Sequence, residues 1–178
     1  MKRFEVIAEK ILDSKLNVSI GAEIGLWRGQ TFFYLLNRFP GLYMIGVDQW
    51  KVYSGFGDKA ATGFTDYSLK EKDMKKNKAF VLKELKRYGS RRTALLEMSS
   101  LSAAEFIKDQ TLDFVFIDGD HRASFVRADI AAWAPRVKKE GLIFGHDWNI
   151  PSVKKALSDY AGKVKLIDHD HVWMMVKP

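Results

Sequence analysis

The chain contains no cysteine. Disulfides, thiolate–zinc sites and thiol nucleophiles are therefore excluded. No apolar run approaches the roughly 18–20 residues that a helical membrane span requires. The opening residues, MKRFEVIAEKILDSKL, carry charges throughout, which argues against a secretory signal. Phe4, Ile7, Ile11 and Leu12 instead recur at helical spacing and predict an amphipathic helix. Internal repeats, low-complexity segments and linkers are also lacking. With 178 residues, 47% of them hydrophobic, the chain is expected to form a single domain (1–178) with a real core. These absences fit a cytoplasmic location and give no reason to expect a membrane partner.

What is present in excess is positive charge, and it is local. Between Lys70 and Arg92 there are ten Lys/Arg and three Asp/Glu, which accounts for the whole net charge of +7. Such a patch attracts an anionic acceptor or nucleic acid. The plainer reading is a solvated helix face, with Phe80, Val81, Leu82 and Leu85 as its apolar side. That reading is preferred, and nucleic acid is not expected as a partner.

Short apolar runs alternate with helical patterns along the chain. Strands are predicted at Val18–Ile24, Tyr43–Val47, Thr93–Met98, Leu112–Ile117 and Gly141–Gly145. Helices are predicted at Gln30–Arg38, Met74–Tyr88, Ser102–Lys108, Ser124–Trp133 and Ser152–Tyr160. Repeated strand–helix alternation with uninterrupted apolar strands predicts an α/β fold, a parallel sheet covered on both faces. Val164–Ile167 and Val172–Val176 read as a closing hairpin that adds an antiparallel edge. Gln49–Asp73, with Trp50, Tyr53, Phe56, Phe64 and Tyr67 among glycines and charges, reads as a long binding loop. It is expected to shape the pocket of an acceptor with a ring or sugar face.

Four motifs fall at predicted strand ends, where open α/β sheets bind ligands. In Glu23-Ile-Gly25-Leu-Trp27-Arg-Gly29 the glycines permit a tight turn and close backbone approach. The helix that follows offers free N–H groups to a carboxylate or phosphate. Glu23, a charge ending a buried strand, needs a partner such as an ammonium group. Asp48 ends the second strand, where nucleoside-binding sheets place an acid on the ribose; alternatively it caps a loop. Phe116-Ile-Asp118-Gly-Asp120-His121 and Gly145-His146-Asp147-Trp148-Asn149 end the fourth and fifth strands. If those strands are neighbours, Asp118, His121, His146 and Asp147 share one cleft, suited to a hard divalent ion or a general base. The structural alternatives are Asp120 as a helix cap and His146 as a support. Asp168-His169-Asp170-His171 imitates a metal cluster but is expected to lie apart, in the hairpin. Trp133, Trp173 and the methionines read as core.

The series E-I-G-x-x-x-G, G-V-D, F-I-D-G-D-H and G-L-I-x-G-H-D-W resembles class I S-adenosylmethionine-dependent methyltransferases. The likeness is greatest to a small-molecule O-methyltransferase-like group carrying D-G-D-H after strand four, and it spans nearly the whole chain. It implies a Rossmann-like, doubly wound seven-stranded sheet of order 3-2-1-4-5-7-6 with strand 7 antiparallel. It implies S-adenosylmethionine as cofactor. Glu23, Gly25, Trp27 and Gly29 would surround its methionine part, and Asp48 its ribose. Gln49, Trp50, Met98 and Ser99 would lie at its adenine, with Asp118 also in contact. Related enzymes use magnesium (Mg2+) at carboxylates matching Asp118 and Asp147. Here His146 stands where those relatives carry an acid, and Trp148 separates Asp147 from Asn149. The implied reaction is methylation of a small-molecule acceptor, with His121 as base and Asp118 and Asp147 beside it, and with Asp118, His146 and Asp147 as metal candidates. The alternatives are a nucleotide-dependent dehydrogenase, whose G-x-G-x-x-G is absent, a non-catalytic nucleoside- or dinucleotide-binding Rossmann protein with a decayed site, and a nucleic-acid methyltransferase working through the basic patch.

Overall fold

The structure, a computed structural model, describes residues 1–52 and 70–178. Tyr53, Phe56, Phe64 and Tyr67, and with them most of the anticipated acceptor loop, lie outside the described residues.

Helix α1 (Arg3–Asp13) precedes strand β1 (Ile20–Ile24), α2 (Gln30–Arg38) and β2 (Tyr43–Val47). Then come α3 (Glu71–Leu85), β3 (Thr93–Leu96), α4 (Ser100–Glu105), β4 (Leu112–Ile117) and α5 (Ala123–Trp133). The chain continues with β5 (Val137–Gly145), α6 (Pro151–Leu157), β6 (Lys165–Leu166) and β7 (Trp173–Val176). The seven strands form one sheet of order β3-β2-β1-β4-β5-β7-β6. The first five are parallel, and β7 runs antiparallel to both β5 and β6. This is the Rossmann-like order implied by the motifs.

Strand alternation divides the core into two layers. Ala22, Ile24, Val115, Ile117 and Ile143 face α4, α5 and α6, packing with Ile130, Trp133 and Val153. Phe114, Phe116, Leu142 and Phe144 face α1 and α2, packing with Ile7, Phe32 and Leu35. Trp133 and Trp173 are core residues, as expected. Trp173 lies against Gly145, where a Cβ would come within 2.0 Å of its ring.

Three departures from the sequence reading have plain causes. Helix α3 buries Met74, Asn77 and Val81, whereas Phe80 and Leu82 are 50% and 42% exposed. Its buried stripe follows the i, i+3, i+7 spacing rather than the consecutive apolar run. Strand β6 is only two residues long. The His169–His171 turn that follows is not remote from the other motifs. The His171 ring packs edge-on against Trp148 at 5.8 Å, and Asp170 accepts the Arg3 backbone N–H at 2.7 Å. Among the described residues no helix is long and apolar enough to cross a membrane.

Candidate functional site

Strands β1 and β4 are neighbours whose connections leave in opposite directions along the sheet. Such a switch point opens a crevice at the carboxyl ends of the strands. A cavity of about 440 Å³ occupies that place, lined from β1, β2, β4 and β5 by Gly25, Asp48, Asp118 and His146 among others. Its size suits a nucleoside with a small acceptor beside it.

The β1–β2 side is tied together through backbone. Gly25 has φ 87, and its N–H donates to the Val47 carbonyl at 2.8 Å. A Cβ there would lie 2.2 Å from the Asp118 carbonyl oxygen, so only glycine fits, in conformation and in space. Asp48 accepts the Trp27 N–H at 2.7 Å and the Trp50 N–H at 2.6 Å. Burial pushes its carboxyl up, and these backbone bonds pull it part of the way back. Asp48 therefore caps the loop, the alternative offered by the sequence, and also lines the cavity. Trp27, Trp50 and Asp147 hold φ values of 49, 46 and 58. Backbone strain of this kind collects at functional sites.

Glu23 is 2% exposed and lies behind the cavity wall. Gly29 caps α2 without a side chain, and Glu23 supplies what it lacks by accepting the Phe32 N–H of the first turn. Its Oε2 is buried with no hydrogen-bond partner. Burial and the nearby Asp118 charge push the carboxyl well above its ordinary range, against the pull of Arg3.

The β4–β5 side is built from charge. Asp147 Oδ2 lies 2.9 Å from His121 Nε2 and 3.1 Å from His146 Nδ1. Asp118 stands farther off: 3.4 Å from Arg3 Nε, 3.5 Å from His146 Nδ1 and 4.0 Å from His121 Nε2. Burial depresses the two histidines, but the Asp118 and Asp147 carboxylates outweigh it and raise both to about 10. The imidazoles in turn hold both aspartates low against the effect of burial. At neutral pH the set carries three cations (Arg3, His121, His146) against two carboxylates. Nε2 of His121 and of His146 are buried without hydrogen-bond geometry to any partner.

Asp118, His121 and Asp147 offer ligand atoms within 4.8 Å of one another. The surroundings do not suit magnesium, which prefers six oxygens in a tight octahedron. Each carboxylate already faces imidazolium groups, and the Arg3 guanidinium stands beside Asp118. The magnesium expected at Asp118, His146 and Asp147 is therefore not supported by this donor set.

The remaining site residues divide. Trp27, Gln49, Met98 and Ser99 line the cavity, together with Gly25, Asp48, Asp118, His121, His146 and Asp147. Trp50 does not. It is 6% exposed, turned into the α1–α2 layer, and its indole N–H donates to the Trp27 carbonyl at 2.9 Å. Asp120 pairs with Arg122 at 2.5 Å. Arg3 and Asp129 are among the lining residues that went unread in the sequence. Arg3 arrives from a distant helix, which no local pattern announces. Asp129 does carry a signal, an acid within the buried stripe of α5.

The Methyltransferase domain family model matches residues 22–148. No curated protein matches the chain. Solved structures share its fold at low identity. A provisional caffeoyl-CoA O-methyltransferase from Staphylococcus aureus superposes with TM-score 0.68 at 15% identity, over 98% of this chain and 82% of that one. A precorrin-6y C5,15-methyltransferase from Geobacter metallireducens gives 0.64 at 17%, over 97% and 89%. Cofactor-bound Rv0187 from MTB gives 0.64 at 14%, over 98% and 77%. With a family match over most of its length, on the sheet order its motifs implied, the chain belongs to the Methyltransferase domain family of class I S-adenosylmethionine-dependent enzymes.

Proposed function

We propose that the chain methylates a hydroxyl oxygen of a small-molecule acceptor such as a phenol or sugar, with S-adenosylmethionine bound along the carboxyl ends of β1, β2 and β4. One observation carries this reading. A single cavity joins a nucleoside-sized end at Gly25 and Asp48 to a charged end at His121 and Asp147. The cofactor supplies a methyl group already activated on its sulfonium. The protein's task is then to align the acceptor oxygen and remove its proton. Asp48 holds the ribose hydroxyls with the lone pairs its backbone bonds leave free. Glu23, buried with an unpartnered Oε2, is the carboxylate assigned to the cofactor's ammonium, which has to reach it past the Gly25 turn.

At the charged end the neutral form of His121, which grows as pH rises, takes the acceptor proton, with Asp147, 2.9 Å from its Nε2, stabilising the imidazolium formed. Its pKa of about 10 matches that of a phenolic hydroxyl, about 10, so transfer between them is nearly thermoneutral. Arg3 and His146 favour the anionic acceptor oxygen as it forms. No step requires a metal. The cysteine-free composition agrees with action in the cytoplasm.

Thermal shift with S-adenosylmethionine, S-adenosylhomocysteine and NAD is the primary test, followed by mass spectrometry of phenol and sugar panels. A bound ligand at 100 times its Kd adds about 2.7 kcal/mol of stability. Stabilisation by both sulfur nucleosides but not NAD, with a mass gain of one methyl group on a hydroxyl acceptor, is expected. Stabilisation by NAD alone overturns the reading.

A further inference from the structure

One motif of the sequence, Asp168-His169-Asp170-His171, takes no part in the chemistry above. It does not gather into a metal site: among the described residues only Asp118, His121 and Asp147 bring three ligand atoms together. Its third residue has another task. Asp170 is half-buried, and its Oδ2 accepts the Arg3 backbone N–H at 2.7 Å, across 167 positions of the chain. Arg3 is the first residue of α1, and Lys2 before it makes no side-chain cap, since an ammonium has no acceptor to offer. An acid at that place satisfies an otherwise unpaired N–H and complements the helix dipole. Asp170 therefore caps α1 from a distant part of the chain.

The cap is itself held in place. Asp170 and His171 have φ values of 51 and 53, and two successive left-handed residues persist only where their surroundings fix them. The fixing comes from the loop that carries Asp147. Trp148 donates its backbone N–H to the His171 carbonyl at 3.3 Å and its indole N–H to the Ile167 carbonyl at 3.0 Å. The Ile167 N–H donates to the Val172 carbonyl at 2.8 Å and closes the turn. One end of this bridge is the residue next to Asp147; the other is the residue whose side chain meets Asp118. The Arg3 guanidinium stands 3.4 Å from Asp118, and its Nε is buried without a hydrogen bond. An ion pair without a directional bond does not hold the side chain, so its place is set by the helix that carries it. Burial raises the carboxyls of Asp118 and Glu23, and the Arg3 charge opposes it at both.

We propose that Asp170 is a positioning residue for the reaction: by capping α1 it holds Arg3 beside Asp118, in register with the Asp147 loop through Trp148. The kinetic half of this assignment rests on the methyltransferase reading above; the placement of Arg3 does not.

Asp170→Gly removes the carboxylate and keeps the left-handed backbone. Asp170→Asn keeps that backbone and a side-chain oxygen that accepts, and so serves as the rescue. The first readout needs no substrate: solvent exchange of the Arg3 Nε–H, followed by heteronuclear NMR and assigned by its loss in Arg3→Gln. Loss of a helix cap corresponds to about a 2- to 30-fold change in the opening of the turn it closes. Asp170→Gly should speed the exchange by about that factor, and Asp170→Asn should return it to within about twofold of wild type. Trp148→Phe, which removes the indole bond to Ile167, should act in the same direction and decides the matter if Asp170→Gly does not fold. Unchanged exchange in the folded variants overturns the inference, as does a wild-type Nε–H that exchanges as fast as in free arginine. The second readout is turnover of the hydroxyl acceptor identified as above. Asp170→Gly should lower kcat while S-adenosylhomocysteine affinity stays within about twofold, and adding it to Arg3→Gln should cost nothing further. Losses that multiply in the double variant would make Asp170 a stabilising group alone and overturn the inference. Failure of wild type to bind S-adenosylhomocysteine instead overturns the methyltransferase reading, and the exchange rates still decide the placement of Arg3.

Discussion

Strand β4 has an aspartate at each end, and the two are treated in opposite ways. At its start, Asp113 accepts the Ser19 N–H at 2.7 Å, the Ile20 N–H at 2.9 Å and the Ser19 hydroxyl at 3.1 Å. The Lys138 ammonium donates to its other oxygen at 2.6 Å. Just past the other end, Asp118 meets three cationic groups, none nearer than 3.4 Å. Both carboxyls lie below their ordinary range in spite of burial. Only Asp113 achieves this through short, directional bonds. A closed set of partners leaves nothing for a ligand to do. A loose set, surrounded by buried nitrogen atoms without hydrogen bonds, leaves room for one. The difference separates the structural end of the sheet from the chemical end.

The comparison breaks most sharply at His121. Replacement by alanine should lower turnover by about 10²–10⁴ and move the melting temperature little. If the protein melts early and turnover survives, the histidine belongs with Asp113 as a structural group. The reciprocal change, Asp113→Ala, should leave S-adenosylhomocysteine affinity within about twofold and cost about 1–3 kcal/mol of stability, because two part-buried N–H groups and the Lys138 ammonium lose their acceptor. Chemical denaturation and calorimetry on one preparation check both halves.

Titration separates the ends by direction. Asp113 has a lowered folded pKa, so its stabilisation is full above the unfolded value of about 4 and fades as pH falls below it. Denaturation of wild type and Asp113→Asn across about pH 2–7, a range of about five units that brackets this linkage, should show the difference shrinking in acid. His121 and His146 have folded values raised to about 10. Their stabilisation is complete below the unfolded value of about 6.5 and is lost as pH rises toward 10. Over the same rise kcat/KM should climb, as the pair gives up its first proton with an apparent value belonging to both residues. A flat profile between pH 7 and pH 10, the window of about three units in question, removes His121 as the base. The smallest expected effect is that of chelation. EDTA should change turnover by less than about twofold, because imidazolium and guanidinium groups occupy the place of a divalent ion. A larger loss would return Asp118 and Asp147 to metal binding.

The sheet was legible because buried parallel strands are written as largely apolar runs, and Leu112–Ile117, apolar but for Asp113, is buried at every position. Residues at strand ends were legible for the same reason: Gly25, Asp48, Asp118 and His146 follow directly from where strands stop. Direction beyond the strand end was not. Trp50 follows Asp48 by two residues, yet its left-handed backbone turns the indole into the core, and no local pattern encodes that turn. The consecutive apolar residues Phe80, Val81 and Leu82 concealed which one faces inward. Arg3 reaches Asp118 from 115 positions away along the chain, a contact only tertiary structure creates. Asp129 was readable in principle, since an acid at a stripe position of α5 conflicts with the local pattern.

The 2.2 Å between a hypothetical Cβ at Gly25 and the Asp118 carbonyl has a consequence for engineering. The turn proposed to receive the cofactor and the turn proposed to perform the chemistry share one atom's worth of space. Neither can be grafted alone from a relative, because any change in the path of one displaces the other. An acceptor loop exchanged on this scaffold must therefore leave the 25–118 junction untouched, or bring both of its sides from the same donor.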